Sequence, residues 1–117
     1  MDNDIVSLKI PSNPGYLQVI RLAAASLANR MGFDIDDVED IKVLVSEVVN
    51  YVIPINDSIE ILFDIGEDRL KIKVIAGKIA YEGAEDNDQL KFRRQILLSL
   101  ADDIYYDDTT VTIIKNK

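Results

Sequence analysis

The side chains with the reach to do chemistry in this chain are mostly acidic, and they fall in clusters. The doublets Asp102-Asp103 and Asp107-Asp108 carry the oxygen ligands that a hard divalent cation takes. They also flank an expected strand, where carboxylates keep a hairpin tip and a sheet edge soluble, and that role is the one expected of them. The run from Asp34 to Asp40 has the acidic spacing of a calcium loop, yet Glu39 stands at position six, which needs glycine, and Val45 at position twelve, which needs glutamate. It reads as the first turn of a helix, so no metal site is expected. Lys91, Arg93 and Arg94 form a basic cluster, which is either an anion site, a contact for a partner's acidic patch, or a solvated helix face. Tyr16, Tyr51, Tyr81, Tyr105 and Tyr106 are too scattered to build a stacking platform for nucleobases.

Absent residue types exclude whole reaction classes. With no Cys and no His, the chain has no thiol nucleophile, no disulfide, no structural zinc of the usual kind and no imidazole base. Twenty-one acidic against 13 basic residues leave a net charge of −8, which repels nucleic-acid phosphates, so no direct DNA or RNA partner is expected. A length of 117 residues with 48% apolar composition fits one domain, residues 1–117, with a real core. The N-terminal Met-Asp-Asn-Asp-Ile-Val is not a basic segment followed by an apolar run. Nowhere do about 18 apolar residues stand in sequence. A cytoplasmic location without membrane contact is expected.

The elements that must position these residues follow from periodicity. Ile5 to Ile10 alternates as a strand and Pro11 ends it. Asn13 and Pro14 open a first helix of about 14–31, with Tyr16, Ile20, Ala23, Leu27 and Met31 as its apolar stripe and Gly32 as its C-cap. The opposite stripe is Gln18, Arg21, Ala25 and Asn29, which places Arg21 away from the core. Asp34 caps a second helix reaching about Ile53, where Pro54 ends it. Val38, Ile41, Val45, Val48, Val49 and Val52 lie on its inner side, and Asp36, Glu39, Asp40, Glu47 and Asn50 on its outer side. Ser58 to Ile65 and Leu70 to Val74 alternate around Gly66-Glu67-Asp68 as a hairpin. The polar stretch 77–88 reads as a loop, 88–101 as a third helix with Phe92, Ile96, Leu97 and Leu100 inward, and Tyr105-Tyr106 with Val111 to Ile114 as a closing hairpin. The order β-α-α-β-β-α-β-β predicts an α+β two-layer sandwich, a mixed and mostly antiparallel sheet with three helices on one face.

This order, with Leu8-Lys9-Ile10-Pro11-Ser12-Asn13-Pro14-Gly15-Tyr16, Ile20-Arg21-Leu22 and the run from Val38 through Ser46-Glu47, resembles the anti-sigma factor serine kinases, small bacterial members of the GHKL ATPase superfamily with the histidine-kinase-like ATPase fold. In that family the second helix carries a Glu that orients the attacking group and, four residues on, an Asn that ligates Mg²⁺. Glu47 matches the Glu, but the Asn position is Tyr51, a poor ligand for a hard cation. Asn50 lies about 100° around the helix and would reach the site only through a π-bulge. The family's Asp-x-Gly-x-Gly turn, which holds adenine, is matched by Gly77-Lys78-Ile79, with Gly77 at the Asp position and Ile79 at a glycine position. Lys91 and Arg93 fall where a second Gly-x-Gly offers backbone N–H groups to phosphates. After Gly32 the chain has only Gly66, Gly77 and Gly83, no two close together.

The resemblance thus implies a pseudokinase that keeps the fold, with no ATP or Mg²⁺ cofactor and with Glu47 as a vestige of catalysis. Its expected function is that of an anti-sigma-factor-like binding protein that sequesters a sigma factor or partner-switching antagonist. The resemblance further implies a homodimer paired through the sheet, a sigma factor gripped near the first helix, and a competing anti-anti-sigma factor. Arg21 falls where the family places a partner-contacting Arg, and Gln18 shares its stripe. The rival expectation is a divergent ATP-dependent serine kinase acting on the antagonist, with Glu47 and Asn50 as its remaining apparatus.

Overall fold

A computed structural model describes residues 3–77, 79, 95, 97 and 99–117. The strands are β1 (Asp4–Pro11), β2 (Ser58–Ile65), β3 (Arg69–Ala76), β4 (Asp103–Tyr106) and β5 (Thr110–Asn116). The helices are α1 (Leu17–Met31) and α2 (Ile35–Val52), with single 3₁₀ turns at Pro14–Tyr16 and Ile53–Ile55. The α+β sandwich is as expected. Its sheet, in the order β1-β2-β3-β5-β4, is antiparallel at every pairing, so the expected mixed character is corrected. Placing β5 between β3 and β4 puts the chain's last strand inside the sheet and leaves β1 and β4 as its edges.

Alternation along each strand decides which face is buried. Ile59, Ile61 and Phe63 of β2 stand opposite Ala76, Val74 and Ile72 of β3, and all six are at most 5% exposed. Ile113 of β5 pairs with Ile72 and Val111 with Val74, which extends the same apolar layer across the sheet. Leu62, Lys71, Lys73 and Thr112, on the alternate positions, face away from it.

α2 lies against β3, β5 and α1, so it buries a wide arc. The six expected inward residues are buried, and Leu44 and Ser46 are buried as well, because α1 covers a second side of the helix. Asp34 caps α2 by accepting the Asp37 amide at 2.8 Å, and Asp36 and Asp37 sit where the positive end of the helix dipole favours them. α1 ends as expected at Gly32, whose φ of 88° lies in the left-handed region that a side chain resists.

The inner stripe of α1 is corrected by about one residue. Ile20, Ala24 and Ala28 are fully buried, whereas Ala23, Leu27 and Met31 are half-buried and Tyr16 is exposed. Small alanines let α1 approach α2 closely, and that approach outweighs burial of the bulkier Leu27. Of the expected third helix, residues 88–94, 96 and 98 fall outside those described. Gln95, Leu97, Ser99 and Leu100 are helical, and the Ala101 amide donates to the Leu97 carbonyl at 3.1 Å.

One lysine ties three parts of the chain together. Lys115 of β5, its side chain 12% exposed, donates from Nζ to the Leu100 carbonyl at 2.6 Å and stands 3.6 Å from Asp37 and 3.7 Å from Asp40 of α2. Lys115→Met keeps the aliphatic stem and removes the donor, leaving the Leu100 carbonyl without this partner. Its expected cost is about 1–3 kcal/mol, read as a lower urea midpoint at unchanged slope. An unchanged midpoint would reduce the lysine to a surface charge.

Candidate functional site

The candidate site is a groove of about 300 Å³ between α1 and α2. Gln18 and Arg21 line it from α1, and Glu39, Lys42, Val43, Ser46 and Glu47 from α2. Gln18 and Arg21 share a face because they are three residues apart, and Glu39, Val43, Ser46 and Glu47 share another at spacings of three and four. The two close-packed helices thus bring the sequence candidates Gln18, Arg21 and Glu47 onto one surface.

Arg21 is half-buried, which corrects its expected position on a face turned away from the core. Its Nε donates to Ser46 Oγ at 2.5 Å, and Ser46 Oγ donates in turn to the Lys42 carbonyl at 2.6 Å. The cause is the rotated stripe: with Ala24 and Ala28 inward, the Arg21–Ala25 side of α1 turns toward α2. Among the described residues no carboxylate forms an ion pair with Arg21. Lys42, by contrast, pairs with Glu39 at 3.2 Å, an i,i+3 bridge exposed enough to contribute no more than about 1 kcal/mol. Val43, which lines the groove, is 42% exposed.

Glu47 is half-buried on the α2 wall of the groove. Asn50 is exposed and does not line it. α2 runs as uninterrupted α-helix from Ile35 to Val52, without the π-bulge that would swing Asn50 toward Glu47. Tyr51, four residues after Glu47, packs against the hydrophobic core. Ile79 is 5% exposed, a core residue whose amide donates to the Asp108 carbonyl at 3.1 Å. The residues at these two positions do not fit Mg²⁺-ATP held in the family's manner, since one offers a phenol for an amide and the other a core side chain for a glycine. Lys78, Lys91, Arg93 and Arg94 lie outside the described residues.

The aspartate doublets are engaged within the chain. Asp102 accepts the Asn116 amide at 2.6 Å, and Asp107 accepts the amides of Thr109 and Thr110 at 2.8 and 2.7 Å, capping the β4–β5 turn. Asp103 accepts the Tyr105 hydroxyl at 2.6 Å. Among the described residues no three acidic side chains converge as a metal site would require.

The bond to Asp103, and the carboxylate's negative charge, raise the Tyr105 pKa above 10.0. Because the folded value is raised, the bond's contribution to stability is present below the unfolded tyrosine pKa and is lost as pH rises through the folded one. In an absorbance titration, the difference between the protein and Tyr105→Phe is expected to show a phenolate forming later than free tyrosine. Asp103→Asn is expected to bring that transition down, and an unshifted transition would count against the bond.

Sequence reasoning missed Ser46, Lys42 and Val43. The signal for Ser46 was present, as a lone hydroxyl amid the apolar run Val43-Leu44-Val45 and Val48-Val49, four residues after Lys42.

An open, antiparallel five-stranded sheet layered with two helices in this order fits the α+β sandwich of the histidine-kinase-like ATPase fold. No protein-family profile matches the chain. It is 37% identical over 82 residues to the serine-protein kinase RsbW of Bacillus cereus (strain Q1), covering 66% of this chain and 51% of that protein. It is 42% identical over 77 residues to the serine-protein kinase RsbW of Oceanobacillus iheyensis, covering 61% and 49%. Over about two thirds of its own length the chain is thus similar to serine-protein kinases named RsbW. It spans about half the length of the curated relatives it matches.

Proposed function

We propose that this chain is an anti-sigma-factor-like regulatory protein that sequesters a sigma factor, or a partner-switching antagonist, by stoichiometric contact without ATP hydrolysis. The observation that carries the reading is Tyr51: one turn beyond Glu47, where a kinase of the family presents its Mg²⁺-ligating Asn, this chain packs a tyrosine against its core. The buried Ile79 supports it independently. Glu47 is then a groove residue rather than a working base, and exposed Asn50 has no cofactor to hold.

Capture uses the α1–α2 groove, with Arg21 and Gln18 as the contacts and the exposed Val43 as the apolar side chain beside them. Arg is among the residue types enriched at interface hot spots, which fits Arg21 as the anchor. Control rests on competition, since an anti-anti-sigma factor shifts the complex only through its own differential binding. A homodimer paired through the sheet is part of the proposal, supported by the β1 edge, where Ile5 is 63% and Val6 39% exposed. Residues 1–117 act as one domain in this reading. No helix among the described residues is long and apolar enough to cross a membrane.

The second reading is a divergent serine protein kinase acting on the antagonist. It is favoured by the name of the relatives, serine-protein kinase, and by the retention of Glu47. Incubation with Mg²⁺-ATP separates the two. Sequestration predicts no rise in melting temperature and no phosphate on the antagonist. A kinase must be stabilised by the nucleotide it binds in its native state, and must transfer the phosphate to serine.

A further inference from the structure

We infer that Ser46 is the positioning residue for Arg21, a hydroxyl buried between the helices that holds the guanidinium in the α1–α2 groove before a partner arrives. The inference rests on the reading of Arg21 as a partner contact and adds to it how that contact is made ready.

Ser46 is the one polar residue buried among those described, at 4% exposure. A hydroxyl at a helix–helix interface is costly unless both its donor and its acceptor capacity are used. Here both are. Oγ–H donates to the Lys42 carbonyl one turn back, which fixes the rotamer, and a lone pair accepts from Arg21 Nε across the interface. A guanidinium has five N–H donors in a rigid plane, and this bond engages one of them. The four N–H donors of its two Nη groups stay available for a partner, and no carboxylate among the described residues pairs with Arg21.

The energetic consequence is preorganisation. A free Arg side chain loses rotamer entropy when a partner immobilises it, and a side chain already held by Ser46 has lost most of it in the unbound protein. Alanine at position 46 would leave the helices packed but release Arg21. Partner affinity should therefore fall through Arg21 and through nothing else.

The test has a readout that needs no partner. The Arg21 Nε–Hε resonance, assigned by its disappearance in Arg21→Lys, is expected to exchange with solvent more slowly than that of Arg30, exposed on the same helix. Ser46→Ala should bring its exchange to the rate of Arg30. Ser46→Thr, which keeps a hydroxyl able to bond the preceding turn, should restore protection. Fast exchange in the unsubstituted protein, or protection that survives Ser46→Ala, overturns the inference.

Capture of the purified sigma factor bound by the unsubstituted chain then distinguishes the inference from the reading beneath it. Ser46→Ala is expected to weaken capture roughly tenfold when Arg21 is present and not at all in an Arg21→Ala background. Equal weakening in both backgrounds would make Ser46 a packing residue and overturn the inference alone. If Arg21→Ala leaves capture unchanged, the partner-contact reading falls, and the purpose assigned to Ser46 falls with it.

Discussion

Arg21→Glu is expected to weaken capture of the sigma factor by roughly 30- to 700-fold, the loss that follows when an interface anchor worth about 2–4 kcal/mol is removed. Charge reversal adds to the loss, because the new carboxylate would share the groove with Glu39 and Glu47. The structure also predicts a cost that the sequence alone does not. Arg21 is half-buried and donates to Ser46, so reversal removes one hydrogen bond at the helix interface, at about 1 kcal/mol, and lowers the melting temperature by a few degrees. Capture measured by surface-immobilised binding, with circular dichroism on the same sample, reads both effects. Unchanged capture with intact fold would remove Arg21 from the interface.

The largest effect on stability is expected at Phe63. Its ring is fully buried on β2, between Val6 of β1 and Ile72 of β3 in register, under the helical layer. Phe63→Ala removes that contact area and leaves a cavity that a close-packed sheet and helix layer fill only in part, at a cost of about 3–5 kcal/mol. Domains of this size are stable by about 5–15 kcal/mol, so the substitution takes a large share of the total. Urea unfolding should show it as a sharply lower midpoint. A loss under about 1 kcal/mol would mean that the helices do not cover the centre of the sheet.

Much of the frame was legible in the sequence because one face of each element is strictly apolar. β3 alternates without exception from Leu70 to Val74, and β2 does so from Ile59 to Phe63 save for Leu62 on the outer face; both strands fall where the alternation puts them. The second helix was legible from Asp34 to Pro54, since a capping carboxylate and a proline bound an unambiguous stripe. Pro54 nevertheless sits within a 3₁₀ turn rather than beyond all helical structure, because its fixed φ suits the start of that turn. The position of β5 between β3 and β4 had no local signal, as strand order depends on long-range pairing.

The first helix was harder to read. Its sequence Leu22-Ala23-Ala24-Ala25 offers alanine on several faces, so residue type does not fix the rotation, and the partner helix does. That ambiguity of one residue decided the site. With Ala23 inward Arg21 would point to solvent, whereas with Ala24 inward it meets Ser46. The candidates Gln18, Arg21 and Glu47 were named from the sequence, but that they share a groove is a fact of helix packing. Asn50 was placed correctly on the outer side of its helix and is not brought to Glu47.

In the proposed function the groove grips a protein, and does so without nucleotide. Calorimetric titration with Mg²⁺-ATP tests it most directly. No saturable heat is expected, at protein concentrations where capture of the sigma factor is complete. A saturable isotherm accompanied by phosphoserine on the antagonist would contradict it.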